Sequence, residues 1–287
     1  MNRDRLRLAV PNKGRLLDPT LELLRAAGLV FEDHDRSLVA RVRNHPLDIL
    51  FVRTNDVIEF VRDGVADLGV TGEDLLAEAG IDLPRLRALG YGRCRLAAAV
   101  PTDAPAQRLE DLAGKRIATA HPNATRRFFD ERGIAVEIIA LSGAVEVAPR
   151  LGLAEAIVDL VSTGSTLVMN GLRPIGDILE SEAVLLSGPD ADRVTVERVA
   201  AIDAMLAAVI AARDRKYLMM NAPADRLPVL EELLPGLESP SVIPLAHSGM
   251  IAIHSVVDAD AIWGLLPRLR SAGATGILVL PIEKLVP

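Results

Sequence analysis

The chain has 287 residues, half of them hydrophobic but only 3% aromatic, and a formal charge of −7. That length suits two or three domains with a substantial core packed by Leu, Val, Ile and Ala. The negative balance speaks against a general nucleic-acid or acidic-membrane surface, though one basic cleft could still take an anionic small substrate. The single cysteine, Cys94, excludes an intrachain disulfide and offers no zinc cluster.

The opening MNRDRLRLAV is charged before a short apolar run and lacks the pattern of an export signal. Residues 199–212, the most apolar long segment, are interrupted by Asp203 and too short to span a bilayer. The expectation is a cytoplasmic protein without membrane contact. Residues 6–10 predict a strand and residues 15–27 an amphipathic helix ending at Gly28. Lys13 and Arg15 lie in the turn between them, PNKGRL. Open α/β sheets bind ligands at such turns, and basic side chains beside helix N–H groups suit a pyrophosphate or triphosphate. Solvated loop cations are the competing reading. Residues 48–53 predict a second strand whose final residue, Arg53, faces the same edge; 55–62 predict a helix and 66–70 a strand. After that strand Thr71 and Gly72 should line a cleft, while Glu73 and Asp74 serve equally well as helix caps.

From about residue 96 the alternation restarts, with strands at 116–120, 136–141 and 157–161. The last lies in EAIVDLVSTGSTL, residues 155–167, the stretch richest in chemistry. Glu155 and Asp159, four apart, fall on one face of either a strand or a helix. The turn that follows holds Thr163, Gly164, Ser165 and Thr166, whose backbone and hydroxyls suit a phosphate. Acids just before a phosphate cradle indicate a sugar phosphate, with carboxylates on ribose hydroxyls and backbone on the 5-phosphate. Glu146 lies just upstream and could reach the ribose or its metal, or be a solvated carboxylate. His34, His45, His247 and His254 lack ligand spacing with one another or with Cys94, so no transition-metal site is expected.

Residues 192–213 read as one long helix. Behind it come strand 217–221, helix 228–234, strands 241–245 and 251–257, helix 259–272 and strand 276–281, the ferredoxin-like order βαββαβ. Asn221, Leu237, Ser239 and Ser241 offer amide, hydroxyl and backbone groups there to an amino acid's ammonium and carboxylate, or are ordinary turn residues.

The string EVAPRLGLAEAIVDLVSTGSTL (146–167) resembles the signature of the ATP phosphoribosyltransferase family. VPNKGRL, ADLGVTGEDLL, GKRIATAHPN, KYLMMNAP and ILVLPIEK are similar to the same family and run in its order from end to end. The resemblance implies the long, self-regulated form. Its fold would be a two-lobed, periplasmic-binding-protein-like catalytic region with a C-terminal ferredoxin-like (ACT-like) regulatory domain. The expected boundaries are 1–95 for the first lobe, 96–182 for the second, 183–212 for a return and connecting helix, and 213–287 for the regulatory domain. The implied reaction joins ATP to 5-phosphoribosyl-1-pyrophosphate, with Glu155, Asp159 and Arg15 at the reacting centre. Mg2+ would be held mainly by substrate phosphates, histidine would inhibit through residues 213–287, and the protein would be a homo-oligomer, dimer to hexamer. His121 departs from the pattern, which has an aromatic residue, usually Tyr, at this place. Two rivals are weaker: a solute-binding receptor would carry an export signal, and an amino-acid sensor leaves EAIVDLVSTGSTL unexplained.

Overall fold

A computed structural model describes residues 4–33, 37–189, 193–234, 236 and 239–286. The chain divides into two compact units, 1–203 and 204–287. The first begins with strands Leu6–Pro11 (β1), Val39–Arg41 (β2), Leu47–Val52 (β3), Leu68–Gly72 (β4) and Arg85–Ala88 (β5). Helices Leu17–Ala26 (α1), Asp56–Arg62 (α2) and Glu73–Ala79 (α3) alternate with them. Next come Cys94–Pro101 (β6), Arg116–Thr119 (β7), Pro122–Glu131 (α4), Glu137–Ala140 (β8), Ala156–Val161 (β9), Ser165–Met169 (α5) and Leu172–Ser181 (β10). Ala183–Ser187 (β11) follows, and then Arg193–Ala212 (α6), which crosses the boundary between the units.

Two sheets result, in the orders β2-β3-β1-β4-β11-β5 and β10-β6-β9-β7-β8. β3, β1 and β4 are mutually parallel, as are β8, β7 and β9. Buried on both faces, such strands read as unbroken apolar runs, and β4 (LGVTG) is buried at every position. At Ala183 the chain re-enters the first sheet, where β11 lies antiparallel between β4 and β5. These are the two lobes of a periplasmic-binding-protein-like architecture. α3 of the first lobe meets α4 of the second: Glu78 accepts from the N–H groups of Asn123 (3.0 Å) and Ala124 (2.9 Å). Arg127 Nη2 donates to the Ala77 carbonyl at 2.6 Å.

The second unit continues with Arg215–Pro223 (β12), Leu227–Leu233 (α7), Ser241–Pro244 (β13), Met250–Asp258 (β14), Ile262–Ser271 (α8) and Thr275–Pro281 (β15). Its strand order β13-β14-β12-β15, antiparallel throughout, is ferredoxin-like. Alternation sends Leu218, Met220, Ala222, Ile251, Ile253 and Val257 into a core with Leu230 of α7 and Leu265 and Leu269 of α8. Among the described residues no helix is long and apolar enough to cross a membrane.

Candidate active site

Parallel strands deliver their following loops to one edge, and here the loops after β1, β3, β4, β7, β8 and β9 carry the polar side chains. A cleft of about 560 Å³ is lined by Lys13, Arg15, Thr54, Asn55, Gly72 and Asp74 from the first lobe. His121, Ser142 and Leu160 line it from the second. A smaller depression of about 100 Å³ follows β9, lined by Glu146, Asp159, Ser162, Thr163, Gly164 and Thr166. Leu160 borders both, so the two are neighbours.

Gly164 takes φ +80°, a left-handed conformation that turns the chain from β9 into α5. Thr163 Oγ1 and Ser165 Oγ share a hydrogen bond of 3.0 Å, so Ser165 braces the turn and is not part of the lining. α5 has only five residues, which leaves anion binding to the turn's N–H groups and hydroxyls more than to a helix dipole. Burial, with Glu146 close by, holds the Asp159 carboxyl above the ordinary aspartate range, against a bond from the Leu160 N–H. The turn carrying Glu146 starts from Ala144 at φ +52°, the one left-handed non-glycine among the described residues.

Glu155 does not share this depression, which corrects the expectation of a paired grip. In a strand, four residues span about 13 Å, so Glu155 sits at the opening end of β9 and Asp159 near its close. Glu155 accepts from Arg116, through Nη2 at 2.6 Å and through the backbone N–H at 2.8 Å. Those bonds hold its carboxyl well down, at about 2. Arg53 is likewise displaced: it is exposed beyond β3, and its neighbours Thr54 and Asn55 line the cleft. Thr71 is fully buried in β4, is absent from the cleft lining, and its Oγ1 has no hydrogen-bond partner among the described residues.

Two further residues, Asp74 and His121, line the cleft. Asp74 is 2% exposed, with Oδ1 receiving a 2.5 Å bond from Ser181 Oγ and lying 4.0 Å from Arg15 Nη2. Arg15 also donates to Cys94 Sγ at 2.9 Å. His121, 6% exposed, places Nε2 3.6 Å from Asp74 Oδ2, close enough for charge though long for a hydrogen bond. Burial pushes the Asp74 carboxyl up, but His121, Ser181 and Arg15 together outweigh it and leave it below the ordinary value. Asp74, open in the sequence between helix cap and ligand contact, sits in this cluster, in which its N–H also bonds Ser181 Oγ at 3.0 Å.

A larger hollow of about 810 Å³ lies beside β6 and β10, where Arg95 pairs with Asp177 at 3.0 Å and Arg93 stands 3.7 Å from Glu182.

In the second unit Asn221, Ser239 and Ser241 are exposed. Register aligns Asn221 with Ala252 and Ile243, and Ser241 with His254. Asn221 and Ser241 therefore share the sheet face away from the helices, but stand two strands apart, roughly 10 Å across. Leu237 lies outside the described residues.

The ATP phosphoribosyltransferase family profile matches residues 53–209, and that of the HisG C-terminal domain matches residues 212–284. An ATP phosphoribosyltransferase of Gemmatimonas aurantiaca is 46% identical over 292 residues, covering 98% of this chain and 100% of its own. One from Methanosarcina barkeri is 40% identical over 289 residues, with 98% and 100% covered. A solved ATP phosphoribosyl transferase (HisG:HisZ) complex from Thermotoga maritima contains a chain 32% identical with a TM-score of 0.61, covering 70% of this chain and 96% of that one.

Proposed function

The chain belongs to the ATP phosphoribosyltransferase family, the transferases of the first step of histidine biosynthesis, and from that premise we propose which of its residues do the work. The reaction is transfer of the 5-phosphoribosyl group of 5-phosphoribosyl-1-pyrophosphate to N1 of ATP, with release of pyrophosphate. The observation that carries this reading is the depression after β9, where two carboxylates, Asp159 and Glu146, face a hydroxyl-lined glycine turn. Asp159 and Glu146 hold the ribose hydroxyls, and residues 162–166 hold the 5-phosphate. Lys13 and Arg15, across the cleft, hold the pyrophosphate and triphosphate. The ribose carbon passes through a cation-like state, so the protein's task is positioning and neutralising the leaving group.

Among the described residues no group of three or more His, Cys, Asp or Glu side chains is placed to hold a metal. Glu146 and Asp159 suit magnesium as one or two carboxylate oxygens, with substrate phosphates and water completing its shell. When bound, the ion neutralises the departing pyrophosphate. Histidine inhibits through the exposed face and edge of the second unit, where Asn221 and Ser241 stand, and the protein works as a homo-oligomer. The neighbouring complex from Thermotoga maritima supports assembly as a family habit.

One assay tests both parts. Mixing the protein with ATP, 5-phosphoribosyl-1-pyrophosphate and magnesium should release pyrophosphate and form one adduct; no release removes the reading. Added histidine should slow that release without competing with either substrate, and Ser241→Tyr should relieve the inhibition. Competitive inhibition, or none, removes the regulatory part.

A further inference from the structure

Arg15 is a long side chain on an exposed turn, yet it is anchored. Its Nη2 donates to Cys94 Sγ at 2.9 Å and lies 4.0 Å from Asp74 Oδ1. Among the described residues no hydrogen bond takes its Nε or Nη1, so the guanidinium keeps two nitrogens for a ligand in the cleft it lines. The anchors are themselves fixed. Ser181 Oγ donates to Asp74 Oδ1 at 2.5 Å and accepts from the Asp74 N–H at 3.0 Å. Gly72 makes room for that carboxylate: its φ of −89° suits any residue, but a Cβ there would stand 2.2 Å from Asp74 Oδ1. Cys94 opens β6 and Ser181 closes β10, opposite each other in register. An arginine of the first lobe is thus fastened to the strand ends where the chain passes to and from the second.

We infer that Gly72, Asp74 and Cys94 are positioning residues that aim Arg15 at the pyrophosphate leaving the phosphoribosyl donor. The inference rests on the assignment of Arg15 to pyrophosphate made above. As the bond from the ribose carbon to oxygen breaks, pyrophosphate takes the electron pair and negative charge grows on the departing oxygen. A cation already in place meets that charge without reorganising. A free arginine on a turn would lose its rotamer freedom at each binding event, and the two anchors remove that loss beforehand. Their weakness matters as much as their presence. Sulfur is a poor acceptor, and Asp74 stands at 4.0 Å, beyond hydrogen-bond reach. A tight carboxylate pair would compete with the phosphate, whereas this arrangement orients the guanidinium and leaves it available.

The test is a set of double-mutant cycles in the full chain, read as kcat, KM for ATP and inhibition by added pyrophosphate. Gly72→Ala, Asp74→Asn and Cys94→Ala should each lower kcat about 10- to 100-fold, the scale of a misplaced group. Each should weaken pyrophosphate inhibition and hold KM for ATP within a few-fold. Cys94→Ser, which keeps an acceptor, should recover most of the kcat lost in Cys94→Ala. In an Arg15→Ala background the same changes should have no further effect, because the residue they act through is gone. A merely structural role would lower kcat equally in both backgrounds. If Arg15→Ala keeps parental kcat and pyrophosphate inhibition, the assignment of Arg15 itself is wrong. If Arg15→Ala is impaired but the other variants are parental, or their losses add in full to its own, the inference is wrong. Cys94→Ala and Cys94→Ser make the same discrimination should the changes at Gly72 or Asp74 fold poorly.

Discussion

Glu155 immediately precedes β9 and Asp159 lies within it, and their surroundings push their carboxyls in opposite directions. Arg116 bonds hold Glu155 down to about 2, while burial raises Asp159. Asp159→Asn should therefore fold at least as stably as the parent, because a costly buried charge is gone. Its turnover should fall about 10- to 150-fold, the equivalent of about 1.5–3 kcal/mol for one hydrogen bond to a charged group. Steady-state rates beside thermal unfolding check both halves, and parental turnover would remove Asp159 from the site. Glu155→Gln should leave turnover intact and cost only a little stability, since exposed pairs contribute modestly. The sign with pH follows from a lowered carboxyl: the stabilisation is complete above 4.5 and drains away as pH falls toward about 2. Denaturation of parent and variant should thus differ at neutral pH and converge in acid; a gap that persists at pH 2 would contradict the Arg116 pairing.

At the level of elements, Glu78 is the clearest device. Its carboxylate receives the first N–H groups of α4 from the opposite lobe, the role a capping side chain normally plays within one helix. Glu78→Ala should cost about 1 kcal/mol and raise KM for both substrates by loosening the cleft, whereas Glu78→Gln, still an acceptor, should cost less. Urea titrations and KM values decide it, and an alanine variant with parental values in both would show that the lobes are held elsewhere. Strands β1, β3, β4, β7 and β9 were legible in the sequence because parallel strands covered on both faces are continuous apolar runs. β10 was not: it holds Pro174 and Gly176, residue types that strands disfavour, and accommodates them as an edge strand with irregular register. A strand's rise separates Glu155 and Asp159 by about 13 Å, where a helix would bring them within about 6 Å, and the spacing alone does not say which applies. Asp74 and His121 are 47 positions apart in sequence, and no local pattern signals that α3 and α4 bring them together. The βαββαβ unit was readable throughout, since each of its elements is bounded by its own turn.

For the whole molecule, the position of β11 has a consequence for how the protein is born. β5 pairs only with β11, and one edge of β4 is open until β11 fills it. The second sheet, by contrast, is built wholly from residues 94–181. A ribosome adding about 5–20 residues per second needs roughly 5–20 s to travel from β5 to the end of β11. Through that interval the second lobe is being made while the first waits unfinished, with the apolar edge of β4 exposed to stray strand pairing. Residues 94–181 made alone should give a folded, protease-resistant fragment, while residues 1–92 should be unfolded or aggregate; a stable monomer of the latter would contradict this order. Chaperones that shield strand edges would find their longest engagement with this chain in those seconds, when the part made first is still waiting for the part made later.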